Sequence, residues 1–114
     1  MVITQGDVIW AQLSDPVGSE ISFDRPVIVV QSNRLNESRL QTVVCVPLTR
    51  QLKWAETAGC VKLPAQATGL DQDSVAQCHL ISALDQSRFG DAVGQVSEFH
   101  LQKILRAVDV VLGR

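Results

Sequence analysis

The sequence predicts a single, mainly β domain that spans residues 1–114 and ends in one helix. Short runs of β-branched and apolar residues follow one another, separated by turns rich in Gly, Pro and Asp. The last apolar run changes to the spacing of a helix. A chain of 114 residues that is 46% hydrophobic can bury a core without a disulfide or a metal. We therefore expect a small, bent antiparallel sheet or partly open barrel, followed by an α-helix.

The first two predicted strands flank a polar loop. Gly6-Asp7 predicts a turn before a strand over Val8–Leu13, and Ser14–Asp24 predicts a loop. Pro26–Gln31 is a continuous apolar run, which is typical of a strand covered on both faces.

The middle of the chain predicts two further strands. Asn33–Gln41 is polar and has room for one helical turn before a third strand over Thr42–Leu48. We expect Pro47 to end the central pairing of that strand, because proline has no N–H to donate. Cys60–Leu63 alternates in character and predicts a short fourth strand.

The late strands are predicted from two turn signals. Asp71–Asp73 predicts a turn before one strand over Ser74–Ala83. Gly90-Asp91 predicts a second turn, followed by a short strand over Ala92–Val96.

The final segment predicts an amphipathic helix. Its apolar residues recur at i, i+3, i+4 and i+7, at positions Leu101, Ile104, Leu105, Val108, Val111 and Leu112. Ser97 is a suitable N-cap, Glu98 favours the positive helix N-terminus, and Gly113 suits the position after the C-cap.

The charge is unevenly distributed along the chain. The net charge of −2 is not the strongly basic balance of a typical nucleic-acid-binding protein. One segment nevertheless holds five basic residues against a single acidic one, Glu37; the basic residues are Arg25, Arg34, Arg39, Arg50 and Lys53. This segment forms either a local positive surface or a chance cluster on solvated loops.

The cysteines indicate the compartment. Cys45, Cys60 and Cys78 lie in apolar segments and form no CxxC pair, which predicts buried, reduced thiols. Reduced thiols are typical of the cytosol. The first residues lack the pattern of a signal peptide, and no apolar run approaches the ~20 residues of a membrane span. We expect a cytoplasmic protein that does not use the membrane.

The sequence contains no motif for a metal site or for a catalytic triad. His79, predicted within the strand over Ser74–Ala83, and His100, predicted in the first helical turn, are far apart and form no HExxH or Cys/His spacing. A lone histidine in such a place is usually structural. No nucleophile elbow and no glycine-rich phosphate loop is present either. We therefore expect neither a metal nor another cofactor.

Arg25 is the first candidate for chemistry. Pro26 favours an extended backbone at Arg25 and fixes its own φ, so the guanidinium stands on a stiff strand end. A guanidinium held in this way suits a phosphate. The alternative is a salt bridge to Asp24 or Glu20 that fixes the loop.

A second polar group follows the third predicted strand. Thr49, Arg50 and Gln51 place a hydroxyl, a guanidinium and an amide at its end. Because consecutive strands are usually neighbours, we expect Thr49 to lie close to Arg25, where both can bind oxygens of one phosphate. The alternative is that Thr49 is an ordinary β-branched strand residue.

Several blocks occur in a fixed order along the chain: Gly6–Val8, Gly18–Glu20, Arg25–Val29, Val44–Thr49, Asp73–Val75 and Leu84–Phe89. At this spacing they resemble the MazF/PemK family of toxin endoribonucleases, and the resemblance extends from about residue 5 to residue 112. It implies an SH3-like, partly open β-barrel with short helices, and a homodimer.

The resemblance also implies an activity. The protein would be the toxin of a type II toxin–antitoxin system that cleaves single-stranded mRNA at a short sequence without metal and so arrests translation and growth. The ribose 2′-OH would attack the adjacent phosphorus, leaving a 2′,3′-cyclic phosphate and a 5′-OH end. DNA, which lacks the 2′-OH, would not be cleaved. A cognate antitoxin would inhibit by laying an acidic, partly disordered C-terminal segment into the groove.

The resemblance assigns roles to particular residues. Arg25 and Thr49 would be catalytic, with Arg25 stabilising phosphorane charge first and donating a proton second, because a guanidinium is a poor base. Gly18, Ser19 and Glu20 would lie in a loop that closes over RNA. Gln51 would contact a base, and Arg50 would face the same groove.

Two features depart from the family pattern. His79–Ser82 replaces a Glu-Gln-Ile-Arg run, so the preferred cleavage sequence cannot be carried over, although His79 in the glutamate position can still donate to a base or phosphate. Val17 stands where some members of the family have an aromatic residue for stacking. Trp10 and Trp54 are the remaining candidates to stack on bases, or else they pack in the core or an interface.

Two other functions are compatible with the same fold. One is a toxin that binds and blocks DNA gyrase without cutting RNA, and the other is an inactive SH3-like interaction module. The presence of both Arg25 and Thr49 favours the nuclease, because a gyrase-binding protein needs neither.

Overall fold

The computed structural model describes residues 2–13 and 24–114. Its strands are β1 (Asp7–Ala11), β2 (Arg25–Val29), β3 (Thr42–Thr49), β4 (Cys60–Leu63), β5 (Ser74–Gln77), β6 (Ser82–Asp85) and β7 (Phe89–Gln95). Its α-helices are α1 (Asn33–Asn36), α2 (Ala65–Thr68) and α3 (Glu98–Val111), and short 3₁₀ helices cover Leu52–Glu56, Cys78–Leu80 and Gln86–Arg88.

The strands form one antiparallel sheet that does not close. Seven strands take part, in the order β4-β5-β3-β2-β1-β7, with β6 paired to β3. In the part of the chain that the structure describes, β4 and β7 are the two ends of this order. The prediction of a mainly β fold, partly open and followed by a C-terminal helix, is confirmed.

Strand β3 is the centre of the sheet because it changes partner along its length. Its first half, Thr42–Cys45, pairs with β6, and Cys45–Pro47 pairs with β2. Its last two residues, Leu48 and Thr49, pair with β5. The end of β3 therefore brings β2 and β5 to its two sides.

Helix α3 covers one face of the sheet. Leu101 and Ile104 are buried in a core cluster with side chains of β1 to β5. Each such aliphatic side chain contributes about 1.5–3 kcal/mol on burial. The predicted caps are confirmed, since the Ser97 hydroxyl accepts from the His100 N–H at 3.4 Å and Gly113 has φ +73°. Leu112, predicted in the apolar stripe, is exposed.

The earlier elements largely follow the sequence prediction. The strand over Cys60–Leu63 is confirmed with the same bounds, and α1 supplies the helical turn expected after β2. The first predicted strand ends at Ala11 rather than Leu13. The loop predicted over Ser14–Asp24 lies outside the described residues, except for Asp24.

The prediction of one strand over Ser74–Ala83 is wrong. The chain leaves the sheet after Gln77, turns through the 3₁₀ helix Cys78–Leu80 and re-enters as β6. The turn lets β5 pair with the end of β3 while β6 pairs with its beginning. His79, placed in a strand by the sequence, therefore lies on an exposed 3₁₀ helix.

One further expectation about β-structure is wrong. Gly90-Asp91 is not a turn but part of β7, where these two residues face the single residue Trp10 as a bulge. Pro47 lies inside β3, as in the strand predicted over Thr42–Leu48. The pairing with β2 does stop at Pro47, but the strand continues because Leu48 and Thr49 pair with β5 instead.

Candidate active site

A cleft of about 480 Å³ opens where β2, β3 and β5 meet. Its walls come from the start of β2, the end of β3, the turn before β5 and the side chain of Trp10 on β1. Arg25, Thr49, Arg50 and Gln51 all line it. The structure thus brings together the four candidates that the sequence placed at two strand ends.

Arg25 is held from across the sheet. It is the first residue of β2, and its Nη1 donates to Oε1 of Gln77 on β5 at 3.1 Å. The side chain must cross β3 to do so, since β3 lies between β2 and β5. Gln77 is 4% exposed, so the acceptor stands on the buried framework of the sheet.

The alternative salt bridge from Arg25 to Asp24 is absent. Over residues 2–13 and 24–114, the one ion pair joins Arg114 to Asp109, at 3.6 Å. Glu20, the other carboxylate considered, lies outside the described residues. The partner of Arg25 that the structure shows is therefore the neutral Gln77 amide.

Thr49 faces Arg25 by strand register. The β2–β3 pairing includes Val27 opposite Pro47, and Arg25 and Thr49 each lie two residues further along. Side chains two residues apart share a face of a strand, so the guanidinium and the hydroxyl belong to one face. The Thr49 Oγ1 accepts from the Gln51 N–H at 3.2 Å. Among residues 2–13 and 24–114 its own O–H has no acceptor, so it can donate to a ligand.

Beside the cleft, the 3₁₀ helices Leu52–Glu56 and Cys78–Leu80 bring Trp54 and His79 together. The Trp54 Nε1 donates to the Gln51 Oε1 at 3.4 Å. Trp54 in turn stacks on the His79 ring, with centroids 5.5 Å apart and planes at 30°. The His79 Nδ1 lies 3.6 Å from the Cys60 Sγ. His79 does not line the cleft itself, but Trp54 connects it to Gln51, which does.

Trp10 separates this cleft from a second one. It is 42% exposed, so a core role within this chain is excluded. The second cleft, of about 300 Å³, begins on the other side of Trp10 and extends to Arg88. The Arg88 Nη1 donates to the Gln12 carbonyl at 3.2 Å. The two clefts share the lining residues Trp10 and Asp24.

The basic segment of the sequence does not form one patch at the cleft. Of its five cations only Arg25 and Arg50 line the cleft, beside the carboxylates of Asp24 and Asp71. Arg34 is on α1, which does not contribute to the lining. The positive charge at the site is therefore local to two guanidinium groups.

None of the three thiols is activated as a nucleophile, because the pKa of each is raised. Burial raises the pKa of the Cys45 thiol to about 12, and burial, with a smaller effect of Cys60, raises the pKa of Cys78 to about 12. The pKa of Cys60 is also raised by desolvation. All three cysteines are free, in agreement with the predicted reduced thiols, although Cys60 is half-buried rather than buried.

The described residues contain neither a metal-binding cluster nor a membrane-spanning helix. In the described part of the chain, no group of three or more His, Cys, Asp or Glu side chains is placed to hold a metal ion. None of the helices that the structure describes has the length and apolar character needed to cross a membrane.

Gln77 is the site residue that the sequence did not reveal. Its signal is weak: a single amide in the otherwise small or apolar run Ser74–Cys78. Gly18, Ser19 and Glu20, which the sequence places at this site, lie outside the described residues.

Comparison with known proteins gives consistent matches along nearly the whole chain. A model of the family described as "PemK-like, MazF-like toxin of type II toxin-antitoxin system" matches residues 4–112. Endoribonuclease MazF6 of Mycobacterium tuberculosis is 38% identical over 112 residues, covering 98% of each chain. Endoribonuclease EndoA of Bacillus subtilis is 30% identical over 113 residues, covering 99% of this chain and 97% of that protein.

Solved structures support the fold. The crystal structure of MazF (Form-I) from Deinococcus radiodurans superposes with a TM-score of 0.83 at 21% identity, covering 100% of this chain and 99% of that one. An endoribonuclease in complex with its cognate antitoxin from Mycobacterial species gives a TM-score of 0.75 at 22% identity, covering 98% of this chain and 94% of that one.

Proposed function

The chain belongs to the family of PemK-like, MazF-like toxins of type II toxin–antitoxin systems, and we propose that it is an endoribonuclease that cleaves single-stranded RNA without a metal ion. Two relatives, at 38% and 30% identity, are named endoribonucleases, and the match covers almost their full length. The cellular consequence of cutting mRNA would be arrest of translation and growth.

The observation that carries this proposal is the pairing of Arg25 with Thr49 in one cleft. A fixed guanidinium and a hydroxyl with a free proton stand on the same face of adjoining strand ends. Both are donors suited to the non-bridging oxygens of one phosphate. A second cleft lies beside this one on the other side of Trp10, so a polymeric substrate can extend beyond the phosphate site.

The reaction uses a nucleophile that belongs to the substrate. The ribose 2′-oxygen forms a bond to phosphorus and loses its proton, while the bond from phosphorus to the 5′-oxygen breaks and that oxygen takes up a proton. The products are a 2′,3′-cyclic phosphate and a 5′-OH end. Arg25 and Thr49 stabilise the charge that develops on the phosphorane oxygens, and Arg25 donates to the leaving oxygen as its second role.

Recognition of the RNA sequence is assigned to groups around this phosphate site. Gln51 is a base-contacting candidate at the edge of the cleft, Arg50 contacts the backbone, and His79 acts from the neighbouring 3₁₀ helix. The exposed ring of Trp10 is positioned to stack on a base beside the scissile bond. Gly18, Ser19 and Glu20 are proposed to complete the site.

Partners are proposed on the same premise. Exposed apolar side chains on and after α3, among them Phe99, Val110 and Leu112, support assembly as a homodimer. One structural neighbour is an endoribonuclease in complex with its cognate antitoxin. Arg25 and Arg50 in the cleft would attract an acidic, partly disordered antitoxin segment. The free thiols support a cytoplasmic location.

The test is cleavage of a long mixed-sequence RNA by purified protein in EDTA, with a DNA copy as control. We expect cuts at a recurring short motif, with 5′-OH ends, in RNA only. Arg25→Ala should reduce the rate by at least about 10²–10³-fold. Arg39→Ala, which removes the same charge away from the cleft, should not change it.

The same preparation separates the alternatives. A folded wild-type protein that leaves RNA intact would contradict the nuclease. If that protein still arrested growth and bound gyrase, the gyrase-binding function would replace it. Light scattering would report the dimer. Binding of an acidic antitoxin peptide should weaken as salt rises, and a flat salt response would contradict the electrostatic part of the proposal.

A further inference from the structure

We propose that Gln77 is a positioning residue that holds the Arg25 guanidinium over the scissile phosphate with an uncharged acceptor. This inference rests on the proposed function, because it concerns how the catalytic arginine is oriented. Nothing in the sequence motifs of the site points to Gln77, which lies 52 residues from Arg25 along the chain.

Strand order explains why Gln77 is the residue within reach. Strand β3 separates β2 from β5, and neighbouring strands lie about 4.8 Å apart, so Arg25 must extend over β3 to meet β5. Leu48 pairs with Ala76 in the antiparallel register of β3 and β5. The next residue on β5, Gln77, therefore lies opposite the preceding residue on β3, Pro47. Arg25 and Gln77 thus approach each other over the last residues of β3, beside Thr49.

The burial of the Gln77 side chain indicates that its contact with Arg25 has a role. Burying an amide is costly unless it is hydrogen-bonded. The other buried glutamine, Gln31, bonds through its amide to Asn36, the Thr42 carbonyl and the Val44 N–H, and so fixes the backbone around β3. Within the described residues, the side chain of Gln77 has one hydrogen-bond partner, Arg25.

An amide acceptor also preserves the charge of the guanidinium. A carboxylate at this place would orient Arg25 equally well, but it would form an ion pair that competes with the phosphate. A neutral oxygen fixes Nη1 and leaves the full positive charge for the phosphorane. The orientation of the Arg25 guanidinium and the charge that it offers the phosphate can therefore be tested separately, with two substitutions of Gln77.

Gln77→Leu removes the acceptor and replaces the amide with an apolar side chain of similar size. We expect kcat to fall by about 10- to 100-fold, the cost of losing a hydrogen bond to a charged group, while KM changes by less than about threefold. Gln77→Glu keeps the acceptor but adds a negative charge that competes with the phosphate, so we expect KM to rise and kcat to fall. Gln95→Leu, an amide removed from β7 outside the cleft, should leave both constants unchanged.

NMR of the arginine side chains tests the hydrogen bond without RNA. With Arg25→Lys used for assignment, the Arg25 Nη groups should give separate, slowly rotating signals in the wild type and in Gln77→Glu, and averaged signals in Gln77→Leu. Averaged Arg25 signals in the wild type would overturn the inference, as would a folded Gln77→Leu with wild-type kcat. If the wild type does not cleave RNA, the proposed function fails, and the NMR result still decides whether Gln77 holds Arg25.

Discussion

Two adjoining regions of the site are built in different ways. The sheet end, which we define as Arg25, Thr49 and Gln77, depends on the register of β2, β3 and β5. Thr49 and Gln77 are buried, and the Arg25–Gln77 hydrogen bond joins side chains of β2 and β5, which each pair with β3. The backbone positions of all three residues are therefore set by the sheet.

The 3₁₀ surface, which we define as Gln51, Trp54, Cys60 and His79, depends on contacts between side chains. Gln51 and His79 are exposed, and a hydrogen bond of 3.4 Å and a ring stack connect them through Trp54. These contacts are individually weak, because solvent competes for each group.

The difference separates chemistry from recognition. Every substrate phosphate is the same, so the proposed phosphate-binding groups suit a rigid sheet. Bases differ, so groups that read them suit turns that can be changed without affecting the core. The departure from the family pattern that the sequence predicts at His79–Ser82 falls on the 3₁₀ surface and its flank, while the predicted catalytic residues Arg25 and Thr49 belong to the sheet end.

The largest effect that would sharpen this comparison is expected from Thr49→Val. Valine keeps the shape and β-propensity of threonine, but it removes the hydroxyl that we propose as a donor to the phosphorane. We expect kcat for RNA cleavage to fall by about 10²–10³-fold, with little change in the preferred cleavage sequence. The measurement is single-turnover cleavage of one RNA, followed by mapping of all cut sites.

Thr42→Val is the matched control, because Thr42 lies at the opposite, exposed end of the same strand. It should cleave like the wild type. A Thr49→Val protein that folds and cleaves at the wild-type rate would break the comparison, since the sheet end would then not carry the chemistry.

Much of the sheet end follows from local sequence. Consecutive strands tend to be neighbours, so two strand ends marked by Arg25-Pro26 and Thr49 predict one shared site. The short strand over Cys60–Leu63 and the capped terminal helix also follow from local signals, because alternation and caps depend on residues close in sequence.

Long-range pairing accounts for what the sequence did not reveal. The run Ser74–Ala83 contains no Gly or Pro, so nothing local marks the 3₁₀ helix over Cys78–Leu80. That turn is set by the need of β5 and β6 to pair with different parts of β3. Gln77 was missed for the same reason, since its role depends on β5 pairing with β3 rather than on its neighbours.

An effect of intermediate size is expected in the pH dependence of stability, which tests how well the interior of the sheet excludes a charge. The Cys45 thiol is buried in β3, and burial raises its pKa to about 12 from an ordinary 9.0. Above pH 9 the unfolded chain loses this proton and the folded chain does not, so the free energy of unfolding falls as the pH rises. The loss should be about 1.4 kcal/mol for each pH unit above 9.

Denaturant unfolding of wild type and Cys45→Ala between pH 8 and pH 10.5 measures this effect. The alanine variant is less stable at pH 8 because it leaves a small cavity, and the difference should shrink as the pH rises. Cys60→Ala, on the 3₁₀ surface, should alter the slope less, since its thiol is only half-buried. Parallel curves for wild type and Cys45→Ala would show that the interior of β3 admits a thiolate.

The smallest effect is expected from Trp54→Phe. Phenylalanine keeps a ring to stack on His79 but cannot donate to Gln51, which then loses the contact at 3.4 Å. Losing one exposed hydrogen bond costs about 0.5–1 kcal/mol, so we expect the ratio of cleavage at preferred over non-preferred sequences to fall about two- to fivefold. The rate at the best site should stay within twofold, because Arg25 and Thr49 are untouched.

Gln51→Ala should relax the preference to the same extent, and the double variant should add nothing further. A uniform loss of rate at all sequences in Trp54→Phe would place the 3₁₀ surface with the chemistry instead of recognition.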